Sequence, residues 1–325
     1  MRALLPLLIL LLGASPALGQ RPFRAQRDAM GTSATVLIYA ETREAADPLF
    51  EVAFSEIERI EQLLSDYRDG SELSRLNAAT DPVTLDPEMM RILNRALAWA
   101  RDTGGAFDPT VGALVDARRA ASQDSLGAVS GGAGPSLPDI AARHVGWQHV
   151  DLDLLTREFR WARTGVRLDP GAFGKGYALE AAAAALREAG VSSALLEMGR
   201  SSYRAIGAPP RQSGWLIHLD DPTEGGTLTT SVLLNDEALS TSGNLGPLGV
   251  HVLDPRSGEP AQAALQVTVI APDAMDADIL STALLVLGPD ASRPVLAAVP
   301  RVRSWMLYEA ETGTTVASTR WQAAQ

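Results

Sequence analysis

The chain has 325 residues, 28 of them basic and 39 acidic, so its formal net charge at pH 7 is −11. This acidic balance argues against general nucleic-acid binding, which needs clustered positive charge. The absence of cysteine excludes disulfides and a lipid-attachment cysteine. A polyanionic ligand would therefore need locally placed cations or a metal ion.

The first 19 residues predict a secretory signal peptide. Arg2 precedes an apolar run from Ala3 to Leu12, and small residues follow up to Gly19. The run is too short for a permanent membrane span, and we see no other stretch that approaches one. We predict cleavage after Gly19, with cleavage after Ala17 as the alternative. The expected product is exported and soluble, without stable membrane insertion, and periplasmic where the cell has an outer membrane.

Residues 20–325 are expected to form a single domain that opens with one strand and three helices. A stretch rich in β-branched residues predicts the strand, and apolar residues at helical spacing predict the first helix. Asp69 and Glu72 form a capping-box pattern for a short second helix that ends near Asn77. Asp86 and Pro87 begin the third. The predicted bounds are 32–39 for the strand and 47–64, 69–77 and 86–104 for the helices.

The second half of the chain is richer in strands. Residues 118–137 are rich in Ala, Ser and Gly and predict a flexible surface loop. Helices are expected over about 175–189 and 275–286. Helices mixed with many strands, without regular βαβ alternation, predict an α+β fold with mixed or antiparallel sheets and packed helices. The predicted strands are GVRLD, SSALLEM, WLIHLDD, LTTSVLL, HVLD, LQVTVIA, SWMLYE and TTVAST.

One short stretch, LDPGAFGKGYALE at 168–180, holds the only lysine of the sequence, beside 27 arginines. Glycines at 171, 174 and 176 allow backbone to approach a ligand closely. The helix that begins near Lys175 directs free N–H groups and a positive dipole end at the turn, which favours an anion site. The spacing excludes a P-loop. A purely structural glycine turn is the alternative.

A second stretch, DADILSTALLVLG at 276–288, places Asp278 and Thr282 four residues apart on one helix face. A carboxylate, a hydroxyl and nearby backbone carbonyls suit a hard cation such as Mg²⁺. The alternative is that Asp276 or Asp278 only caps the helix while Thr282 packs. We expect Asp278 to be an exposed helix-face carboxylate, so that its replacement leaves the fold intact.

Two further stretches are ambiguous by themselves. In HVLDPRSGEP, His251 precedes a turn, but a lone histidine on a strand is usually a core residue. In TGGAFDPTVGALVD, a buried turn explains Asp108 as well as a ligand site does. The remaining histidines, His144, His149 and His218, show no partner pattern and are read as structural.

Taken together and in order, seven segments resemble the FAD:protein FMN transferase family, the ApbE-type flavin transferases. The match runs from Met30 to about Gly288. It implies an α+β fold related to the tunnelling-fold modules, with FAD in a cleft. Members of this family bind FAD with Mg²⁺, move the FMN half onto a Thr or Ser hydroxyl of an exported acceptor protein, and release AMP. The segments are MGT, SDYRDGSELSRLN, TGGAFDPTVGALVD, LDPGAFGKGYALE, STSGN, HVLDPRSGEP and VTVIAPDAMDADILSTAL.

The resemblance also implies roles for single residues. Ala172 would give a backbone carbonyl to the metal, and Asp278 and Thr282 would be metal ligands, with Ser281 contributing backbone. His251 would be the catalytic histidine, and its ordinary pKa near 6.5 suits acceptance of the acceptor hydroxyl's proton. The residues that would contact FAD are Met30, Tyr67, Ala106, Phe107, Asp108, Asp169, Lys175 and Leu253.

The sequence departs from the family pattern at a few positions. Pro170 and Ala172 stand in a segment that is usually Asp-Leu-Gly-Gly, and Arg200 replaces the second glycine of a usual Gly-Gly. The segment between Asn244 and His251 is shorter than usual. Whether Arg200 crowds the cleft or binds a phosphate is left open.

Three functions are compatible with these observations. The first is a flavin transferase, the second a hydrolase that cuts FAD to FMN and AMP, and the third an exported FAD-binding protein without catalysis. The acceptor signature Asp-x-x-Ser/Thr-Gly-Ala-Thr is absent from this sequence. We therefore expect the acceptor to be another exported protein that carries the signature.

Overall fold

A computed structural model describes residues 19–66, 68–124, 139, 142–223, 226–244, 252–311 and 313–324. The predicted signal peptide up to residue 18, Tyr67 and His251 lie outside the described residues. The helices are α1 Arg43–Leu64, α2 Glu72–Ala78, α3 Pro87–Asp102, α4 Gly112–Asp124, α5 Gly174–Glu188 and α6 Ala274–Ala298. The strands are β1 Arg21–Ala29, β2 Thr32–Ala40, β3 Val83–Thr84, β4 Val150–Asp153, β5 Glu158–Trp161, β6 Ala194–Met198, β7 Ser202–Ile206, β8 Trp215–Leu219, β9 Thr230–Leu234, β10 Ala238–Gly243, β11 Gln266–Ala271, β12 Arg303–Ala310 and β13 Gly313–Thr319.

These strands form three sheets. The largest has eight strands in the order β1-β2-β6-β7-β10-β11-β12-β13, and every neighbouring pair is antiparallel. A three-stranded sheet has the order β3-β5-β4, and β8 and β9 form a hairpin. The prediction of an α+β fold with antiparallel sheets and packed helices is confirmed.

The eight-stranded sheet is covered on both faces. Alternate residues of each strand point to opposite faces. On one face, Val36 and Ile38 of β2 belong to a core with Phe54 of α1 and with residues of α5 and α6. On the other face, Trp305 of β12 packs with Trp215 of β8 and the rest of the β8–β9 hairpin. Each large apolar side chain buried in this way contributes roughly 1.5–3 kcal/mol.

Two helix starts differ from the sequence prediction. Helix α1 begins at Arg43 because the Thr42 hydroxyl accepts a hydrogen bond from the Ala45 amide. Helix α2 begins at Glu72, so its cap is Ser71, whose hydroxyl accepts from the Ser74 amide at 2.9 Å. The capping box that we predicted for Asp69 is therefore wrong.

Helix α6 is longer than predicted. It continues through a kink at Gly288, where φ is 71°, and ends at Ala298. By length and composition α6 could cross a membrane, which corrects our expectation that no further stretch approaches a span. Its most apolar window is 56% buried inside the protein. The apolar character of α6 is thus accounted for by its place in the core.

Two further predictions need correction. Residues 118–124 of the predicted flexible loop belong to α4, where Ala and Arg favour a helix; residues 125–137 lie outside the described residues. The predicted strand GVRLD contributes only one bridge, between Arg167 and Val111. The next residue, Leu168, pairs its backbone N–H and C=O with the side chain of Asn77, which occupies the groups that a neighbouring strand would use.

Candidate active site

The site is organised by the close contact between the first turns of α5 and α6. Gly176 lies in the first turn of α5, and a Cβ atom there would stand 2.2 Å from the carbonyl oxygen of Ala274 at the start of α6. Any side chain would collide with this backbone. Glycine at 176 is therefore required by helix packing.

Asp278 of α6 lies at this contact. Its Oδ2 accepts a hydrogen bond from the Gly176 amide at 2.9 Å, and its Oδ1 accepts from the hydroxyls of Ser202 at 3.0 Å and Ser240 at 2.6 Å. Asp278 is only 4% exposed, so our expectation of an exposed carboxylate is wrong. The carboxylate links three elements, α5, β7 and β10, to α6.

Neither Asp276 nor Asp278 caps its own helix, which corrects the alternative that we considered. The cap of α6 is Asp273. Asp276 instead accepts hydrogen bonds from Arg95 at 2.9 Å and from the Trp99 indole at 2.6 Å, and so ties α3 to α6. Asp278 accepts a hydrogen bond from a free amide at the start of α5 rather than from an amide of α6.

Hydroxyl groups continue from Asp278 along α6 and β10. The buried Ser281 hydroxyl lies 2.9 Å from the Asp278 carbonyl and 2.8 Å from the Ser242 hydroxyl. Ser242 in turn lies 3.2 Å from Thr282 Oγ1. The Ser281 side chain is thus engaged within the protein, whereas the half-buried Thr282 has its hydroxyl beside this chain.

The donor set fits a hard cation. Gly176 is the third residue of α5, and the first amides of a helix have no acceptor within the helix. Its amide donates to Asp278, while the Ala172 carbonyl, which precedes the helix cap Phe173, accepts no hydrogen bond from the described residues. The Asp278 carboxylate has about four acceptor positions and uses three here. Ala172, Asp278 and Thr282 therefore offer only oxygen atoms, as Mg²⁺ prefers.

Lys175 is the second residue of α5 and is partly exposed. Its ammonium approaches the Gly171 carbonyl at 3.5 Å, a marginal distance, and it forms no ion pair with the described residues. A flexible cation thus stands beside the amino-terminal end of a helix. Both features attract an anion.

Asp169 precedes the turn that leads into α5. Its Oδ1 accepts from the Gly171 amide at 2.6 Å, and its own amide donates to the Pro109 carbonyl at 2.8 Å. Burial raises the pKa of Asp169, and the nearby Asp66 carboxylate adds to this effect. The turn is therefore joined to the loop that contains Asp108.

The loop over residues 104–111 packs against this turn through Phe107, whose ring meets that of Phe173 edge-on at 6.3 Å. Asp108 is buried and accepts hydrogen bonds from Thr110 and from the Trp147 amide at 2.8 Å. Burial raises the pKa of Asp108, against the effect of these donors. Asp108 thus fixes the loop and is one of the residues that line a cavity.

This cavity has a volume of about 340 Å³ and opens beside the loop. The hairpin 252–261 forms part of its wall, and within it Leu253 bridges Pro260. Asn244 anchors the hairpin, accepting from the Val252 amide at 3.0 Å and donating to the Ala261 carbonyl at 2.8 Å. Val252 also packs against buried Ala106. The predicted catalytic His251 immediately precedes this anchored residue in the sequence. The lining residues are Arg101, Gly104, Gly105, Asp108, Ala142, Val145, Gly146, Trp147, Gln148, Pro255 and Arg256.

Two hairpin turns of the eight-stranded sheet hold Met30 and Arg200. Met30 has φ of 50° in the β1–β2 turn, and its Cε would lie 3.4 Å from a Cβ atom built on Gly174. Arg200 has φ of 59° in the β6–β7 turn and is exposed. The pKa of Tyr203 is raised by burial and Glu197, and Arg200 opposes this. The Arg200 carbonyl accepts a hydrogen bond from the Tyr203 hydroxyl at 3.3 Å, and Tyr203 packs against the core under the β8–β9 hairpin.

Several residues of the predicted site thus lie around the turn into α5 or continue from Asp278 along α6: Met30, Phe107, Asp169, Ala172, Lys175, Asp278, Ser281 and Thr282. Ala106, Asp108 and Leu253 lie instead with the 104–111 loop, the cavity and the hairpin 252–261. Sequence reasoning missed Ser202, Ser240 and Ser242 as partners of the acidic site, and Asn77 as the anchor of residue 168. The only signal for two of them was the alternation of serines in STSGN, which places Ser240 and Ser242 on one face of a strand.

The chain is similar to known proteins in sequence and in fold. The ApbE family model matches residues 30–304. An FAD:protein FMN transferase of Treponema pallidum is 29% identical over 310 residues, with 86% of this chain and 82% of that protein covered. One of Klebsiella pneumoniae is 30% identical over 272 residues, with 80% of each covered. The solved structure of the Pseudomonas stutzeri flavinyl transferase ApbE, apo form, has a TM-score of 0.76 at 27% identity and covers 94% of this chain and 96% of its own.

Proposed function

The chain belongs to the ApbE family, as its seven segments indicated, and from this premise we propose that it is an Mg²⁺-dependent FAD:protein FMN transferase. FAD is the substrate, a Thr or Ser hydroxyl of an exported protein is the acceptor, and AMP is the second product. The observation that supports this most is the buried Asp278, held by Gly176, Ser202 and Ser240 directly beside the first turn of α5.

The reaction is a phosphoryl transfer. The acceptor oxygen forms a bond to the FMN-side phosphorus of FAD, the bond from that phosphorus to the bridging oxygen breaks, and AMP leaves with the bridging oxygen. The acceptor hydroxyl loses its proton, for which His251 is the predicted base. Such reactions depend mainly on positioning and on neutralising charge.

Residues of this chain are suited to that task. Ala172, Asp278 and Thr282 would hold Mg²⁺, which when bound supplies positive charge against the pyrophosphate oxygens. The Lys175 ammonium and the free amides of α5 would bind and orient the same anion. Asp169, Asp108 and the Leu253 hairpin would shape the cleft for the rest of FAD. The roles of Met30, Tyr67, Ala106 and Phe107 as FAD contacts are part of the same proposal.

Export is also proposed, since residues 1–19 have the pattern of a signal peptide. An exported enzyme would meet an exported acceptor that carries Asp-x-x-Ser/Thr-Gly-Ala-Thr. Processing is tested by intact mass of the protein expressed with its own leader; a product that begins at Gln20 or Leu18 supports export, and retention of Met1 contradicts it.

The test of the activity is incubation of the purified protein with FAD, Mg²⁺ and an acceptor protein that carries the signature. We expect the acceptor to gain the mass of FMN less one water, with one AMP released per FMN attached. An unmodified acceptor with equal amounts of free FMN and AMP would identify a hydrolase. Bound FAD without any product would identify a binding protein.

A further inference from the structure

An ion pair between a buried arginine and a half-buried glutamate lies one helical turn away from Asp278. Arg204 of β7 is 4% exposed and donates to both carboxylate oxygens of Glu180 in α5, at 2.8 and 3.0 Å. Its remaining guanidinium nitrogen donates to the Ala205 carbonyl at 2.9 Å. The Glu180 carboxylate also accepts from the Ala274 amide at 2.9 Å. The pair therefore holds the first residue of α6.

The pair joins the same three elements as Asp278, the carboxylate of the proposed metal site. A first rung, Gly176–Asp278–Ser202, joins α5, α6 and β7. A second rung, Glu180–Ala274–Arg204, joins the same three elements. The two rungs are four residues apart in each helix, about 6 Å at 1.5 Å per residue. They are two residues apart in β7, about 7 Å and on one face of the sheet.

We infer that Glu180 and Arg204 are positioning residues for the metal site. By fixing Ala274 they set the position of α6 along the axis of α5. They thereby set the position of the Asp278 carboxylate relative to the Ala172 carbonyl. Gly176 permits this approach because a side chain there would collide with Ala274. This inference rests on the proposed metal site. It predicts that the second rung controls metal affinity, beyond its effect on stability.

Electrostatics alone gives a different prediction, which makes the inference testable. Removal of the Glu180 charge would weaken cation binding under either explanation. Removal of the Arg204 charge would strengthen cation binding if only charge mattered, because a nearby positive charge is lost. If position matters, it would weaken cation binding instead.

The experiment measures Mn²⁺ binding by the purified protein in the presence of AMP, from the electron paramagnetic resonance signal of free Mn²⁺. We expect Glu180→Gln and Arg204→Met each to weaken Mn²⁺ affinity about tenfold, or about 1.4 kcal/mol. The control is Glu237→Gln, which breaks another ion pair, with Arg303 at 2.6 Å, and should change affinity less than about twofold. Thermal melts establish that each variant is folded.

Unchanged affinity in folded Glu180→Gln, or tighter binding in Arg204→Met, would overturn the inference and leave the proposed function intact. Absence of Mn²⁺ binding by the wild type would overturn the metal site and the inference together. If Arg204→Met does not fold, Arg204→Lys replaces it: this variant keeps the charge but loses the two-pronged contact, and wild-type affinity in it would contradict the inference.

Discussion

The two faces of the eight-stranded sheet are built differently. The helix-covered face buries Asp278, Arg204 and the hydroxyls of Ser202, Ser240 and Ser281. The face under the β8–β9 hairpin is mainly apolar, with a partly buried hydroxyl pair between Thr241 and Thr268 at 2.9 Å. Both faces use the same strands: β10 directs Ser240 and Ser242 to the helices, and Leu239 to the hairpin.

This difference shows which face of the sheet carries groups suited to chemistry and which face only stabilises the fold. Burial of a charge is costly unless hydrogen bonds satisfy it, so a buried polar cluster is rarely kept for packing alone. An apolar face stabilises the fold without such requirements. We therefore expect changes on the helix-covered face to affect both stability and activity, and changes under the hairpin to affect stability alone.

The largest effect is expected for Asp278→Ala. The change leaves the Gly176 amide and the Ser202 and Ser240 hydroxyls without their acceptor, at about 1–3 kcal/mol for each group. We expect a loss of at least about 3 kcal/mol in the free energy of unfolding and FMN transfer at background level. Denaturant titration and the mass of the acceptor measure the two effects.

The control for Asp278→Ala is Asp290→Ala, in the same helix but with a side chain that is 86% exposed. It should change neither quantity appreciably. Transfer at the wild-type rate by Asp278→Ala would remove this carboxylate from the proposed mechanism.

Gly176→Ala should have the next largest effect. The new methyl group would lie 2.2 Å from the Ala274 carbonyl oxygen, so the two helices must separate. Overpacking of this kind costs typically about 1–3 kcal/mol, and the separation should also weaken metal binding. Gly70→Ala is the matched control, because no atom of the part of the chain that the structure describes lies within 4 Å of a Cβ atom there. Equal melting temperatures for the two variants would show that the helix contact is looser than described.

Lys175→Met tests the lone lysine. We expect the KM for FAD to rise about tenfold, or about 1.4 kcal/mol, with little change in melting temperature because, among the described residues, the ammonium makes a single marginal contact. Lys175→Arg should not restore full activity, since a planar guanidinium is larger and favours two-pronged partners. Wild-type kinetics in Lys175→Arg would show that any cation suffices.

The smallest effect is expected under the hairpin. Ile217 of β8 is buried in the apolar cluster that contains Trp305. Ile217→Val should cost about 0.5–1.5 kcal/mol in the free energy of unfolding and leave kcat and the KM for FAD unchanged. A change in either kinetic constant would contradict the expectation that changes under the hairpin affect stability alone.

Much of this architecture could be predicted from local signals. Pro87 after a capping Asp86 gave the start of α3, and β-branched runs gave β2 and β11 close to their bounds. Strand β1, at the edge of the sheet, was missed because the three arginines, one glutamine and one aspartate among its nine residues read as a polar segment without apolar alternation. Strands β7 and β10 were missed because Ser and Thr on a buried face lack the apolar alternation that marks a strand.

The site was predicted less completely, for a related reason. Helical spacing placed Asp278 and Thr282 on one face, but it could not show that this face is buried against α5. That burial depends on Gly176, about 100 residues away in sequence, and on serines of two other strands. Contacts between residues so far apart in the sequence produce no periodic pattern that a single sequence could show. The resemblance to a family supplied the remaining site residues, whose roles stay predictions.

The most direct test of the account is the position of a bound metal in a crystal of the protein grown with Mn²⁺ and AMP. The account predicts an anomalous difference peak within about 2.5 Å of an Asp278 carboxylate oxygen, Thr282 Oγ1 and the Ala172 carbonyl oxygen, the range of oxygen ligands to such cations. A peak at the Asp66 and Asp169 carboxylates instead, or no peak in crystals that hold AMP, would contradict it.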